Sequence, residues 1–386
     1  MFFSSFKRRR RGQIRAIDFM VSLFLFILML SQLILIIFNV QSSIKTSTIR
    51  TLAYEEFDIF GRQILFEEGD LNWGYRQQLP SSFGLADSNS QSYLSLDGAK
   101  IARLVTRTPL EIYLVSGFYM YDYKTLKEAM SISGKYDFQL GFYPLLNSEI
   151  SVSDTNFAQV TVTNFYNTPI SNARVNFFTI DLTNGEVISE GSTLTDSNGE
   201  TARQLSNPTL NIPNGEHFVF IIVEKGPLWG MNWGFNDPAS DEVFIGSSLK
   251  NAIWGGGINS SSLLVSDKLG ETPENHFISI IYQDSTLTYS NKTINLNKAD
   301  DGNETITIPN EGLAAFFSIA RNTNNEYHVG IGSYPAILDR DSDSGVFYHI
   351  FGDLTEGKRV KSMLSKLYPI IVRGTLMGCQ LTLWSE

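Results

Sequence analysis

The chain has a single cysteine, Cys379, so no disulfide can form within it. A secreted eukaryotic protein of 386 residues usually carries paired cysteines. An extracytoplasmic chain without them points to a prokaryote, and "MGCQLTLW" reads as a strand holding a buried structural thiol. Histidine is scarce as well: His217, His276, His328 and His349 are scattered, with no HExxH and no close pair. There is no G-x-S-x-G elbow and no phosphate-binding loop. No nucleophile, base and orienting group fall together, so enzyme activity is not expected. Basic charge is concentrated at the start. Lys7, Arg8, Arg9, Arg10 and Arg11 lie within residues 1–12, which hold no acid, although the net charge is −10. The acidic remainder argues against nucleic acid as a partner, because phosphate recognition needs a basic face. It suits a body that stays soluble outside a cell.

Between Phe19 and Phe38 no residue is charged, and only Ser22, Ser31 and Gln32 are polar. As a helix this run is about 30 Å long, enough to span a hydrocarbon core. The basic cluster lies on its N-terminal side, which predicts residues 1–12 in the cytoplasm and 41–386 outside. The run exceeds an ordinary secretory h-region, and no small-x-small cleavage site follows it in "NVQSSIKTSTIR". The apolar segment is therefore expected to remain, and an uncleaved membrane anchor is the simplest reading. Arg15 and Asp18 sit at its mouth, three residues apart, within reach of each other on a helix.

"RRRRGQ" running directly into an apolar helix resembles the class III signal peptide of archaeal type IV pilins and pilin-like proteins. The resemblance implies cutting by a prepilin peptidase after Gly12, leaving Gln13 as the new N-terminus and the helix attached as a stem. The family commonly has an acid at the fifth mature position; here that is Ile17, and the acid, Asp18, is sixth. The resemblance gives Asp18 a partner in the N-terminal amine of a neighbouring pilin subunit, while the residues alone offer a local pair with Arg15. Both readings stay open.

Apolar positions at helical spacing continue through residues 41–66, predicting one helix from about Ile14 to Phe66. Asp97 is placed to cap a short helix over 98–105, and "YDYKTLKEAMSI" fits another. G-x-x-N-W, GLA, L-D-x-x-K-I and Y-D-F resemble the membrane-proximal region of the same archaeal proteins, as packing and turn residues. Residues 149–226 alternate into strands, with a hairpin expected at Asn198-Gly199. Their order of strands and turns resembles bacterial-Ig or carboxypeptidase-regulatory-type β-sandwiches, modules that serve as spacers and in adhesion. Residues 227–386 are strand-rich, with a helix expected over 355–366 and a turn at the glycines 255–257. The expected fold is α+β, mostly β. It comprises a leader (1–12), a helical stem (13–68), a membrane-proximal region (69–148), an Ig-like sandwich (149–226) and a C-terminal β domain (227–386).

Three local features could carry chemistry. Asp339, Asp341 and Asp343 alternate in "DRDSDSG", and three carboxylates can converge on a calcium ion. An EF-hand loop needs Gly and an acid where Ser344 and Ile350 stand, so a solvated acidic turn is the other reading. Trp229, Trp233 and Phe235 in "GPLWGMNWGFND" could stack on a glycan or anchor a protein, or else pack internally. Asn259, Asn291 and Asn303 head N-x-S/T sequons, open to glycosylation outside a cell. The expected function is that of a membrane-anchored archaeal surface protein with a structural or adhesive role: a minor or tip pilin, or a pilin-like protein outside filaments. The competing class is a receptor or enzyme displayed on the same stem.

Overall fold

The computed structural model describes residues 54–70, 80–88, 94–102, 137–153, 157–205, 217–234, 243–246, 253–259, 262–266, 275–284, 286–295, 303–307, 312–321, 327–334, 339–340, 347–352, 362–372 and 374–385. Shorter pieces lie at 20–32, 73–75, 90–92, 104 and 126–127, and some positions within these ranges (21, 22, 25, 28 and 91) are excepted. The chain divides into two compact units, Met1–Phe60 and Gly61–Glu386.

In the first unit, residues 20, 23, 24, 26, 27 and 29–32 are helical and exposed. Much of the expected span from Phe19 to Phe38, together with Gly12, Gln13, Arg15 and Asp18, lies outside the described residues. Among the described residues no helix is long and apolar enough to cross a membrane. Residues 54–65 form a helix, the C-terminal part of the expected stem.

The second unit is almost entirely β. Its strands begin with β1 (Ser95–Leu96), β2 (Asp137–Pro144), β3 (Leu146–Ser153), β4 (Phe157–Asn164), β5 (Arg174–Asp181), β6 (Val187–Leu194), β7 (Glu200–Gln204), β8 (His217–Lys225) and β9 (Leu228–Gly234). They continue with β10 (Val243–Gly246), β11 (Ile253–Asn259), β12 (Ser262–Ser266), β13 (Asn275–Gln283), β14 (Tyr289–Asn295), β15 (Asn303–Thr307) and β16 (Ala314–Arg321). The last are β17 (Tyr327–Tyr334), β18 (Asp339–Arg340), β19 (Phe347–Gly352), β20 (Ser362–Val372) and β21 (Thr375–Ser385).

β2, which precedes the sandwich, lies between β19 and β21, which follow it, in a sheet ordered β1-β20-β21-β2-β19-β18. One face is a row of apolar side chains, with Phe138, Leu140 and Phe142 opposite Leu383, Leu381 and Cys379. Residues 61–66, the start of the second unit, pack on this face: a Cβ on Gly61 would lie 3.3 Å from a Leu381 methyl, and Phe66 meets Tyr368 edge-on at 5.9 Å. The expected helix over 355–366 is corrected here, because residues 362–366 belong to β20, whose eleven residues pair with β21. A ladder that long overrides helical propensity.

β3, β4 and β7 form one sheet and β6-β5-β8-β9 the other, an Ig-like sandwich in which the fourth strand lies beside the third. It runs from Leu146 to Gly234, against an expected 149–226. The turn at Asn198-Gly199 is present, but the hairpin is not: β6 and β7 lie in opposite sheets, so the turn is an arch between them. Val160, Val162, Val175, Phe177, Val219, Ile221 and Val223 fill the core between the sheets.

The second sheet of the sandwich is covered on its other face too. Phe218 and Phe220 of β8 meet Phe317 of β16 at 5.5 and 4.8 Å, and Phe178 of β5 meets Tyr289 of β14 at 5.6 Å. β13, β14 and β16 belong to a five-stranded sheet ordered β10-β17-β16-β13-β14, which makes a third layer. Both faces of β8 are therefore apolar, as "HFVFIIVEK" requires. Gly255–Gly257 lie inside β11 rather than in a turn, at a register shift against β12. Glycines take up the irregular backbone of a bulge without side-chain conflict.

Candidate functional site: an aromatic and amide groove

The turn after β4 reads "NFYNT", and Asn164 fixes it. Its Oδ1 accepts from the backbone N–H groups of Tyr166 and Thr168, both at 2.9 Å. Its own N–H donates to the Thr168 carbonyl at 2.9 Å, and Asn167 takes the left-handed conformation that closes the turn (φ 57°). An asparagine bonding its own following backbone makes a stiff turn. Phe165 and Tyr166 are held on that turn in solvent, 50% and 80% exposed.

Phe165 stacks on Tyr143 at the end of β2, with centroids 5.6 Å apart and planes 16° apart, and Tyr166 meets Phe165 edge-on at 5.6 Å. Burial, with Cys379 and Tyr166 adding to it, pushes the Tyr143 phenol up to about 12, so it stays neutral. The stacked pair walls an open groove of about 270 Å³. Its floor is the polar face of the β19-β2-β21 sheet: Gly141 lies opposite Gln380 and Ile350, and Gln139 opposite Thr382. Asn147 of β3 closes one end. Gln380 donates to Ser365 at 2.8 Å, and the Thr382 and Ser365 hydroxyls are 3.1 Å apart, so the floor is orderly.

The candidates read from sequence lie elsewhere. Trp229 is 2% exposed, with its indole N–H buried and unpartnered, and so offers no face to a ligand. Trp233 is half-buried on β9, and Phe235 is outside the described residues. Asp339 is the first residue of β18; Asp341 and Asp343 are outside the described residues. Among the described residues no three His, Cys, Asp or Glu side chains gather to hold a metal. Asn259 ends β11 and Asn303 begins β15. Asn291 is exposed on β14, and its Nδ2 donates to the Val187 carbonyl at 3.0 Å. The groove itself was missed in the sequence, where the available signal was two adjacent aromatics at the tip of a turn.

The membrane-proximal motifs do converge. Trp73 is fully buried and donates its indole N–H to the Gly84 carbonyl at 2.8 Å. Lys100, from the L-D-x-x-K-I stretch, is also fully buried and donates to the carbonyls of Glu68 and Ala86, each at 2.7 Å. Asp137 of Y-D-F pairs with Lys127.

No family model matches the chain, and no curated protein does. Among solved structures, the chain is similar to a tetra-tandem repeat from the extending region of a large adhesion protein (13% identity, TM-score 0.20, 50% of this chain and 49% of that one). It is also similar to a 1.5-MDa bacterial ice-binding adhesin (12% identity, TM-score 0.17, 50% and 63%). A third is a two-domain fibronectin type III segment of chicken tenascin (12% identity, TM-score 0.16, 50% and 98%). The chain thus spans about half the length of the first of these. The Ig-like assignment rests on the strand order itself.

Proposed function

We propose that this chain is a surface protein of the archaeal type IV pilin-like kind, anchored in the cell membrane by its N-terminal helix and displaying its β layers outside for a structural or adhesive role. The observation that carries the reading is the N-terminal helix. Met20, Phe24, Phe26, Ile27 and Met29 are 55–71% exposed, and at 100° per residue they spread over more than half of the circumference. An uncharged helix with so broad an exposed apolar surface has lipid as its natural solvent. The basic cluster before it sets the N-terminus inside.

The outer part of the reading draws on the layered sheets, a build suited to bearing load and presenting loops, and on aromatic side chains held stiffly in solvent. Size favours a minor or tip component over a repeating subunit. The test is the native membrane protein itself. It should resist extraction by alkaline carbonate, and mass spectrometry should find Gln13 at its N-terminus. Carbonate-soluble protein would remove the anchor, and a mature protein retaining residues 1–12 would remove the pilin-like processing.

A further inference from the structure

We infer that the groove between the Asn164 turn and the β19-β2-β21 sheet binds a neutral carbohydrate. The inference rests on the surface-display reading above and names what the displayed surface recognises.

The chemistry of the lining selects the ligand. Gln139, Gln380 and Asn147 offer amides and the half-exposed Phe165 an aromatic face, with Ile350 beside them and Tyr143 and Thr382 nearly buried behind; none carries a charge at neutral pH. An anion or cation seated there would lose hydration with no counter-charge to replace it. Amides both donate and accept, which matches hydroxyl groups that do the same. Sugar rings also present apolar C–H faces, and exposed aromatic rings supply the flat surface to cover them. The Asn164 bonds fix the backbone of the turn and Phe165 is stacked on Tyr143, so little conformational entropy is lost when Phe165 is covered. At about 270 Å³ the groove is below the usual range for drug-sized ligands and suits a sugar ring at the end or side of a longer glycan.

Gly141 keeps the floor open. A Cβ built there meets nothing nearer than Gln380, at 3.9 Å, so a larger side chain has room to stand in the groove without disturbing the strand. Gly141→Phe is therefore a blocking variant, and Phe165→Ala removes the exposed ring that walls the groove.

The test uses full-length protein in a detergent without a sugar headgroup. The probe is an array of neutral glucose, mannose, galactose and N-acetylhexosamine oligosaccharides beside sialylated and sulfated ones. Wild type should bind neutral members. Phe165→Ala should weaken binding tenfold or more and Gly141→Phe should abolish it, with the fold retained in both. Absence of neutral-glycan binding, binding confined to acidic glycans, or binding that survives Gly141→Phe would each overturn the inference. Cell attachment lost in Gly141→Phe without any glycan binding would assign the groove to a protein partner, which also overturns it. Surface exposure is measured separately on intact cells, so failure of display and failure of sugar recognition give different results.

Discussion

Lys100 reaches across 32 residues of chain to donate its ammonium to the carbonyl oxygen of Glu68, 2.7 Å away, and a second N–H goes to Ala86. A fully buried lysine is uncommon, and here it satisfies one carbonyl just beyond the helix over 54–65 and another in the segment before β1. Lys100→Met keeps the bulk and removes both donors. It should destabilise the protein by about 2–4 kcal/mol, since each buried carbonyl left unpaired costs on the order of 1–3. Chemical unfolding of the detergent-solubilised protein checks this, and a cost near zero would show the bonds to be dispensable.

The same lysine has a pH signature. Burial lowers its pKa from the ordinary 10.5, against the opposing attraction of Asp97, Glu68 and Asp87. In the window just below 10.5 the unfolded chain then binds more protons than the folded one, so this group's contribution to stability rises with pH. It is lost again as pH falls through the folded value. Wild type should therefore gain stability relative to Lys100→Met as pH is raised from neutral toward 10.5. A constant difference across that range would contradict the cause assigned to the shift.

Gly185 is where the third layer meets the sandwich. Ser279 and Thr293 both donate to its carbonyl, Thr293 at 2.7 Å. Its φ is +72°, and a Cβ there would lie 2.8–3.0 Å from atoms of Phe277, Ser279 and Thr293. Gly185→Ala should cost about 2–4 kcal/mol, the left-handed penalty and overpacking together. Gly226 is the control: its φ is +58° and nothing lies within 4 Å of its Cβ position, so Gly226→Ala should cost only the backbone share, about 1–2 kcal/mol. Equal losses in the two variants, measured by unfolding, would mean that the layers are not tightly apposed at Gly185.

Cys379 is fully buried in β21, opposite Phe142 and Tyr368, and burial pushes its thiol far above the ordinary range. Native protein should not react with a thiol-specific chromogenic disulfide, while denatured protein should react at one site. Prompt labelling of the native state would mean that the strand opens.

The sequence pattern was most informative where one strand settles its own environment. The unbroken apolar run of β8 marks a buried strand, and in the fold both of its faces are covered. Alternation in β4 and β5 shows strands, but it does not say whether a turn joins neighbours in a sheet or crosses between sheets. That is why the Asn198-Gly199 turn read as a hairpin. Pairing between β2 and β21, at opposite ends of the β region, is a long-range choice made by packing, with no local signal. The helix expected at 355–366 failed for the same reason: its charged, helix-favouring residues are overruled by a partner strand. The groove escaped notice because no single stretch contains it. Tyr143, Phe165 and Gln380 come from three elements and only the tertiary structure assembles them.

Surface display of the β layers is the central claim, and protease treatment of intact cells tests it most directly. Cells expressing the native chain are exposed to a protease that does not enter them, and the released peptides are sequenced by mass spectrometry. Peptides from residues 137–385 should be released while the apolar segment stays with the membrane. Peptides appearing only after the cells are lysed would place the β layers inside and contradict the account.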